Sequence, residues 1–293
     1  MTEADRRSGI AAALAAYVLW GLMPVYIKLA EGVPALDVLA HRVFWAAATL
    51  LLVIAALRAW PPVRAALRNP RLLGWLLFSA AMIGANWYLY TWSVLAGRVL
   101  DTSLGYFIQP LFNTALGVIL LKERLTRWQW IAIALAIIGI GVMTAALGGL
   151  PLVSIGLAAA FGLYSFARNR AAVDALTGLF IETLLLAPLA LWWLLQTPEG
   201  LFGHGWPLAL VLVASGAVTC VPLGLFGHAA RRISLSALGF LQYIAPSIVF
   251  LLGVFVYGEA MDGWRLTAFI FIWLGLAAFS YGGLRERKAA AAR

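Results

Sequence analysis

Two stretches of this chain decide its fold: YFIQPLFNTALGVILLKERLTRW at residues 106–128 and QYIAPSIVFLLGVFVYGEAMDGW at residues 242–264. A single offset of 136 residues brings Pro110 onto Pro246, Gly117 onto Gly253, Glu123 onto Glu259 and Trp128 onto Trp264, and further along Gly139 onto Gly275. Each stretch is an apolar run closed by a charged turn. Working outward, apolar runs bounded by charge, Pro or Gly predict helices near 9–29, 34–57, 72–95, 102–121, 127–147, 152–167, 176–195, 206–229, 235–257 and 265–283. The chain is thus expected to be an all-α membrane protein of about ten transmembrane helices. Its halves, 1–148 and 149–293, each hold five. Because five is odd, the second half threads the membrane in the opposite sense, giving two inverted five-helix repeats.

Composition agrees with a bilayer as solvent. Of 293 residues 63% are hydrophobic and 11% charged, against about 25% charged in a soluble domain. The formal charge of +9 would suit nucleic acid, but the basic residues sit in short gaps between apolar runs, so no nucleic-acid partner is expected. With the N-terminus in the cytoplasm, 17 of the 21 Lys and Arg fall in inward-facing segments, leaving Lys28, Arg98 and Arg265 outside and Arg42 within a helix. That asymmetry places both termini on the cytoplasmic side, and the expected location is a bacterial inner membrane. The first run, Gly9 to Ile27, follows Arg6 and Arg7 but has no small-residue cleavage site, and reads as a retained helix. The lone Cys220 excludes a disulfide framework and a Cys-based metal site.

Since no gap is long enough to fold alone, the work must be done by the helices. Helix 4 carries Tyr106, Pro110, Asn113 and Gly117 on one stripe with Gln109 alongside. Pro110 frees the carbonyl of Tyr106, and in helix 9 Pro246 frees that of Gln242, which Tyr243 follows. Freed carbonyls at membrane depth must face protein or water, so a central cavity is expected between the two prolines. Helix 3 gathers Ser79, Asn86, Tyr90, Ser93 and Gly97 on a narrow arc flanked by Trp87 and Trp92. Helix 1 adds Tyr17, Gly21 and Pro24 with Trp20 beside them. Aromatic faces bearing a few polar groups suit an amphipathic small-molecule substrate; packing through small and polar residues is the competing reading. The predicted substrate site is therefore Tyr17, Trp20, Asn86, Tyr90, Tyr106, Gln109, Asn113, Gln242 and Tyr243.

Ionisable residues inside helices are few: His41, Arg42 and Glu182. Buried charge is expensive there, so His41 and Glu182 are read as stations for protons or another coupling ion. Arg42 either snorkels, pairs with Asp37 or with Glu182, or touches substrate. Glu123 and Glu259 are read as structural, at the turns entering helices 5 and 10, where carboxylates favour the positive helix end. Thr126 and Gln129 form a capping box and Asp262 caps the last helix.

Across nearly its whole length the chain resembles the drug/metabolite transporter superfamily, EamA family, and within it RarD-like permeases. The resemblance runs through Ala15-Ala16-Tyr17, Trp20-Gly21, His41-Arg42, Asn86-Trp87, Ser103-Leu104-Gly105-Tyr106-Phe107, Glu182-Thr183, Leu238-Gly239-Phe240, Gln242-Tyr243 and Tyr257-Gly258-Glu259. It departs at Lys122-Glu123, where the family usually has Gly-Glu. The resemblance implies two EamA repeats and a permease linked to chloramphenicol sensitivity. With no HExxH, P-loop or G-x-S-x-G, the expectation is a secondary transporter, an exporter working by alternating access, with no cofactor and no metal. An intramembrane lipid-modifying enzyme or a lipid flippase subunit is the alternative. Monomer and homodimer both remain open.

Overall fold

The computed structural model describes residues 3–122 and 125–291. Glu123, Arg124 and Arg293, used in the repeat and charge readings, lie outside the described residues. Among the described residues the structure is helical, with no strand. In chain order it holds α1 (Glu3–Gly21), α2 (Met23–Lys28), α3 (Ala35–Ala56), α4 (Trp60–Leu67), α5 (Pro70–Leu95) and α6 (Val99–Leu121). There follow α7 (Arg127–Leu147), α8 (Leu152–Ala171), α9 (Ala175–Gln196), α10 (Trp206–Ala230), α11 (Leu235–Leu241), α12 (Ile244–Leu251), a π-helical turn (Leu252–Val256) and α13 (Gly263–Ala291).

Among the described residues, eight helical stretches are long and apolar enough to cross a membrane. Two more, α6 and α8, have 23 and 20 residues, enough at about 1.5 Å per residue to span roughly 30 Å. Their apolar character is diluted by Asp101, Gln109 and Asn113 in α6 and by Arg168, Asn169 and Arg170 in α8. These two helices pack on each other, α8 also on α5 and α6 also on α12; Asp101, Gln109, Asn113 and Arg168 are buried or half-buried there, and Asn169 and Arg170 are exposed at the end of α8.

Proline sets the breaks. The first span is interrupted at Leu22, with Pro24 in the first turn of α2. The ninth is interrupted at Gln242–Tyr243, between α11 and α12, where Pro246 cannot donate back to Gln242. The stretch 58–71, expected as a loop, contains α4: Pro61 and Pro62 lie in its first turn, where a missing N–H costs nothing. Val63 and Ala66 of α4 are buried with Ile54 and Leu76. The Thr126–Gln129 capping box is present, and Asp262 accepts from the Arg265 N–H at 2.7 Å.

Helices α7 and α13 pack against each other through a reciprocal contact. A Cβ on Gly139 would lie 3.0 Å from the carbonyl oxygen of Ala268, and one on Gly275 would lie 3.0 Å from that of Ala132. The offset of 136 carries Gly139 to Gly275 and Ala132 to Ala268, so each glycine meets the other's counterpart, the relation a two-fold axis requires. Packing elsewhere has the same form. Helix α5 leans on α8 as α10 leans on α1, and α6 leans on α8 as α12 leans on α1. The third and fourth helices of each half therefore grip the first helix of the other.

Candidate functional site

Helices α5 and α10 meet Arg42 of α3, and α6 and α8 join them through Asn86 and Tyr106. Arg42 sits seven residues into α3, about 10 Å along the helix from its start. Trp87, eight residues from the end of α5, receives the guanidinium on its ring face at 4.4 Å from the centroid. Thr219 of α10 accepts from Arg42 Nε at 3.0 Å. On α5, Asn86, Trp87, Tyr90 and Thr91 fall on one face by their spacing. Tyr106 of α6 donates to Asn86 Oδ1 at 3.0 Å, and Asn86 Nδ2 donates to the Leu157 carbonyl of α8 at 3.2 Å. Tyr106 is ring-packed between Tyr90 at 5.7 Å and Phe161 at 6.0 Å. Three of the predicted site residues, Asn86, Tyr90 and Tyr106, are thus brought together, joined by Arg42 and Trp87.

Beside them lies a small enclosed void of about 10 Å³, lined by Arg42, Thr91, Ser215, Thr219, Tyr26 and Met23 among others, room for about one water. Thr91 is fully buried and its hydroxyl has no partner. Arg42 has no carboxylate partner among the described residues. Asp37 instead accepts from Trp193 Nε1 at 2.8 Å, and Glu182 is held by Arg168, so neither pairing read for Arg42 forms. Neither Pro110 nor Pro246, between which a cavity is expected, lines this void. Both prolines are buried, and Ser103 Oγ donates to the Pro246 carbonyl at 2.9 Å.

That contact belongs to a closed end of the bundle, the end that the charge count assigns outward. Glu259 accepts from the N–H groups of Val99 and Leu100, and a Cβ on Gly253 would lie 2.9 Å from the Leu100 side chain. Glu259 therefore does not serve the helix that follows it, α13; its carboxylate caps α6, because the π-helical turn carries the chain over that helix's start. Tyr26 closes the same end by donating to the Val211 carbonyl. Asp101 through Gly105, more than a full turn of α6, are all buried, whereas Phe112 through Leu116 are all partly exposed.

The other predicted residues go elsewhere. Tyr17 is buried with its hydroxyl 3.4 Å from the Leu238 carbonyl, and it and Trp20 pack on Phe226. Tyr243 stacks on Phe107 at 6.5 Å, on a face of α6 away from Tyr106, and Gln242 beside it is half-buried. Gln109 is half-buried. Asn113 lies against Gly162 of α8 with its Oδ1 unpartnered.

His41 is fully buried. Its Nδ1 accepts from Trp45 Nε1 at 3.3 Å, its ring lies 5.7 Å from that of His204, and Nε2 has no partner. Glu182, also fully buried, accepts from Ser79 Oγ at 2.5 Å and lies 3.5 Å from Arg168; Glu182 Oε2 and Arg168 Nη1 are unpartnered. Arg168 is a residue the sequence reading left in an inward-facing gap. Its place is made by Gly178, where a Cβ would lie 1.6 Å from Nη1. A glycine four residues before a buried Glu, on the same helix face, is the signal that points to it.

Residues 7–145 match the EamA-like transporter family. The chain is 45% identical to an uncharacterized transporter of Vibrio cholerae over 98% of this chain and 97% of that one. It is 42% identical to protein RarD of Escherichia coli, over 95% of this chain and 96% of that one. A solved crystal structure at 20% identity superposes with a TM-score of 0.59 over 96% of this chain and 99% of its own, which bears on the fold alone.

Proposed function

The chain belongs to the EamA family, with RarD among its relatives, and from that premise we propose that it is a secondary transporter exporting small organic molecules by alternating access. It is a multi-pass membrane protein whose relatives are named as transporters; the substrate, the direction and the coupling are our reading. The observation that carries it is the contrast along α6. Its outer half is buried and latched to Glu259 and Pro246, while its inner half is partly exposed. One gate closed and the other not is what a rocking pair of repeats presents in one of its two states.

The reciprocal glycine contacts support the reading of 1–148 and 149–293 as inverted repeats. Asn86, Tyr90 and Tyr106 are the substrate-binding residues in this reading, with His41 and Glu182 as coupling stations on separate helices. Tyr17, Trp20, Gln109, Asn113, Gln242 and Tyr243 shape the walls that move around them. The panel to try holds chloramphenicol, a neutral compound that the family resemblance brings in, together with amphipathic organic acids. Full-length protein in proteoliposomes should accumulate labelled chloramphenicol or a second amphipathic solute when a proton gradient is imposed. Accumulation equal to that of protein-free liposomes across such a panel counts against the transporter.

A further inference from the structure

We propose that the cargo is an organic monoanion, and that the void beside Arg42 receives its carboxylate. The inference rests on the transporter reading and goes beyond it by naming the substrate class. Three observations carry it. Arg42 is permanently charged, is buried, and among the described residues meets hydroxyls and a ring rather than a carboxylate. A guanidinium enclosed without a counter-charge is costly, and the cost is relieved by an anion that arrives. Thr91 places a second, unsatisfied donor on the same void.

The walls tell how the rest of the molecule is held. Beyond its polar groups the void is lined by the Tyr26 ring and by Met23, Ile27, Val38 and Val218, suited to an aromatic or other apolar body. The charge count chooses among anions. One guanidinium neutralises one negative charge, so a phosphate monoester dianion would leave a charge buried and unpaired, whereas a carboxylate would not. In this state the void holds only about 10 Å³, so entry of the carboxylate has to accompany separation of the helices around it. That couples recognition of the charge to the gating motion.

The test uses purified full-length protein, with phenylacetate and indole-3-acetate as probes, their neutral amides and phenyl phosphate as comparators, and chloride replaced by gluconate. Both carboxylates should raise the melting temperature in detergent and should enter proteoliposomes, each at least tenfold better than its amide. Arg42→Gln should weaken the carboxylate response on the order of ten- to hundredfold and erase the preference over the amide. Thr91→Val, which keeps shape, should weaken it several-fold in a folded protein, so the proposal does not hang on Arg42→Gln folding. Equal responses to acid and amide, a preference for phenyl phosphate, or chloride alone reproducing the stabilisation each overturn it. Transport of the amides without preference for the acids rejects the anion assignment while the transporter stands. Stabilisation by the acids with no uptake of any probe rejects the transporter and leaves an anion site.

Discussion

Glu259 and Leu100 lie 159 residues apart in sequence, yet the Glu259 carboxylate accepts the Leu100 N–H at 2.9 Å and that of Val99 beside it. Two N–H groups at a helix start have no partner within their own helix, and a carboxylate there answers both the hydrogen bonds and the positive helix end. Here the carboxylate comes from the other half of the molecule, so the cap of α6 doubles as a bond between the halves. Applied to this pair, the 136-residue offset maps Glu259, Val99 and Leu100 onto Glu123, Leu235 and Ser236. On the proposed inverted-repeat reading, Glu123 is the expected counterpart of Glu259 in the opposite state.

The two glutamates should act in opposite senses. In a Cys220→Ala background, a cysteine in place of Thr102, fully buried at the closed end, should be labelled faster from outside when Glu259 is Ala, by several-fold, because the outer contact then lacks its acceptor. Glu123→Ala should slow the same labelling. If both substitutions shift labelling in one direction, the glutamates are separate caps and not paired latches.

A pH dependence follows with a defined sign. Burial at the turn raises the Glu259 carboxyl above its ordinary 4.5, and nearby Asp101 pushes the same way, against the two N–H donors and Arg265. The closed state therefore holds the proton more tightly than an open state in which Glu259 meets water. By linkage, closure is strongest at low pH and weakens as pH rises through the raised value. Outside labelling at residue 102, taken relative to an exposed reference cysteine because the thiolate itself fades on acidification, should thus fall toward pH 4.5, and Glu259→Gln should flatten the curve. A curve of unchanged steepness in that variant would assign the effect to another group.

At the α7–α13 crossing, Gly139→Ala and Gly275→Ala should each lower stability by about 1–3 kcal/mol, since a Cβ would meet a carbonyl at 3.0 Å. The double variant should cost less than the sum, because separating the helices once relieves both clashes. Gly141, with nothing within 4 Å of a Cβ, is the control and should tolerate Ala. Reversible unfolding in mixed detergent measures all four.

The spans were legible because bilayer thickness imposes one length on every apolar run, and the offset of 136 was legible because proline and glycine mark backbone geometry. What escaped was set by partners distant in sequence. The helix-end preference of Glu259 could be read, but adjacency assigned it to α13, whereas the π-helical turn delivers it to α6. Arg42 could be seen as a charge within a helix, yet Trp87 and Thr219 come from two other helices. Tyr243 shares a repeat motif with Gln242, but its ring turns to Phe107. The apolar runs left 58–71 as a gap, although Pro61 and Pro62 lie in the first turn of α4, where proline opens helices as readily as it ends them.

The last prediction concerns Glu182, whose carboxylate sits between a hydroxyl and an arginine with one oxygen to spare. That arrangement admits two roles. A scaffold would need the pair to bind α5, α8 and α9 together; a coupling station would need the carboxyl to lose and regain a proton as water reaches it. Two substitutions part the roles. Glu182→Gln keeps the shape and the Ser79 contact but cannot titrate. Gly178→Ala leaves both charges in the chain but evicts Arg168, because its Cβ would lie 1.6 Å from Nη1. For a coupling station, Glu182→Gln should reduce gradient-driven accumulation at least tenfold while solute exchange between equal pools continues, and the melting temperature should move by only a few degrees. Gly178→Ala should then alter the pH at which accumulation is half-maximal, since the carboxylate has lost its cation. For a scaffold, both variants should lose stability together and accumulation should follow folded protein alone. A Glu182→Gln protein that still concentrates its cargo, with an unchanged response to pH, would assign the residue to packing.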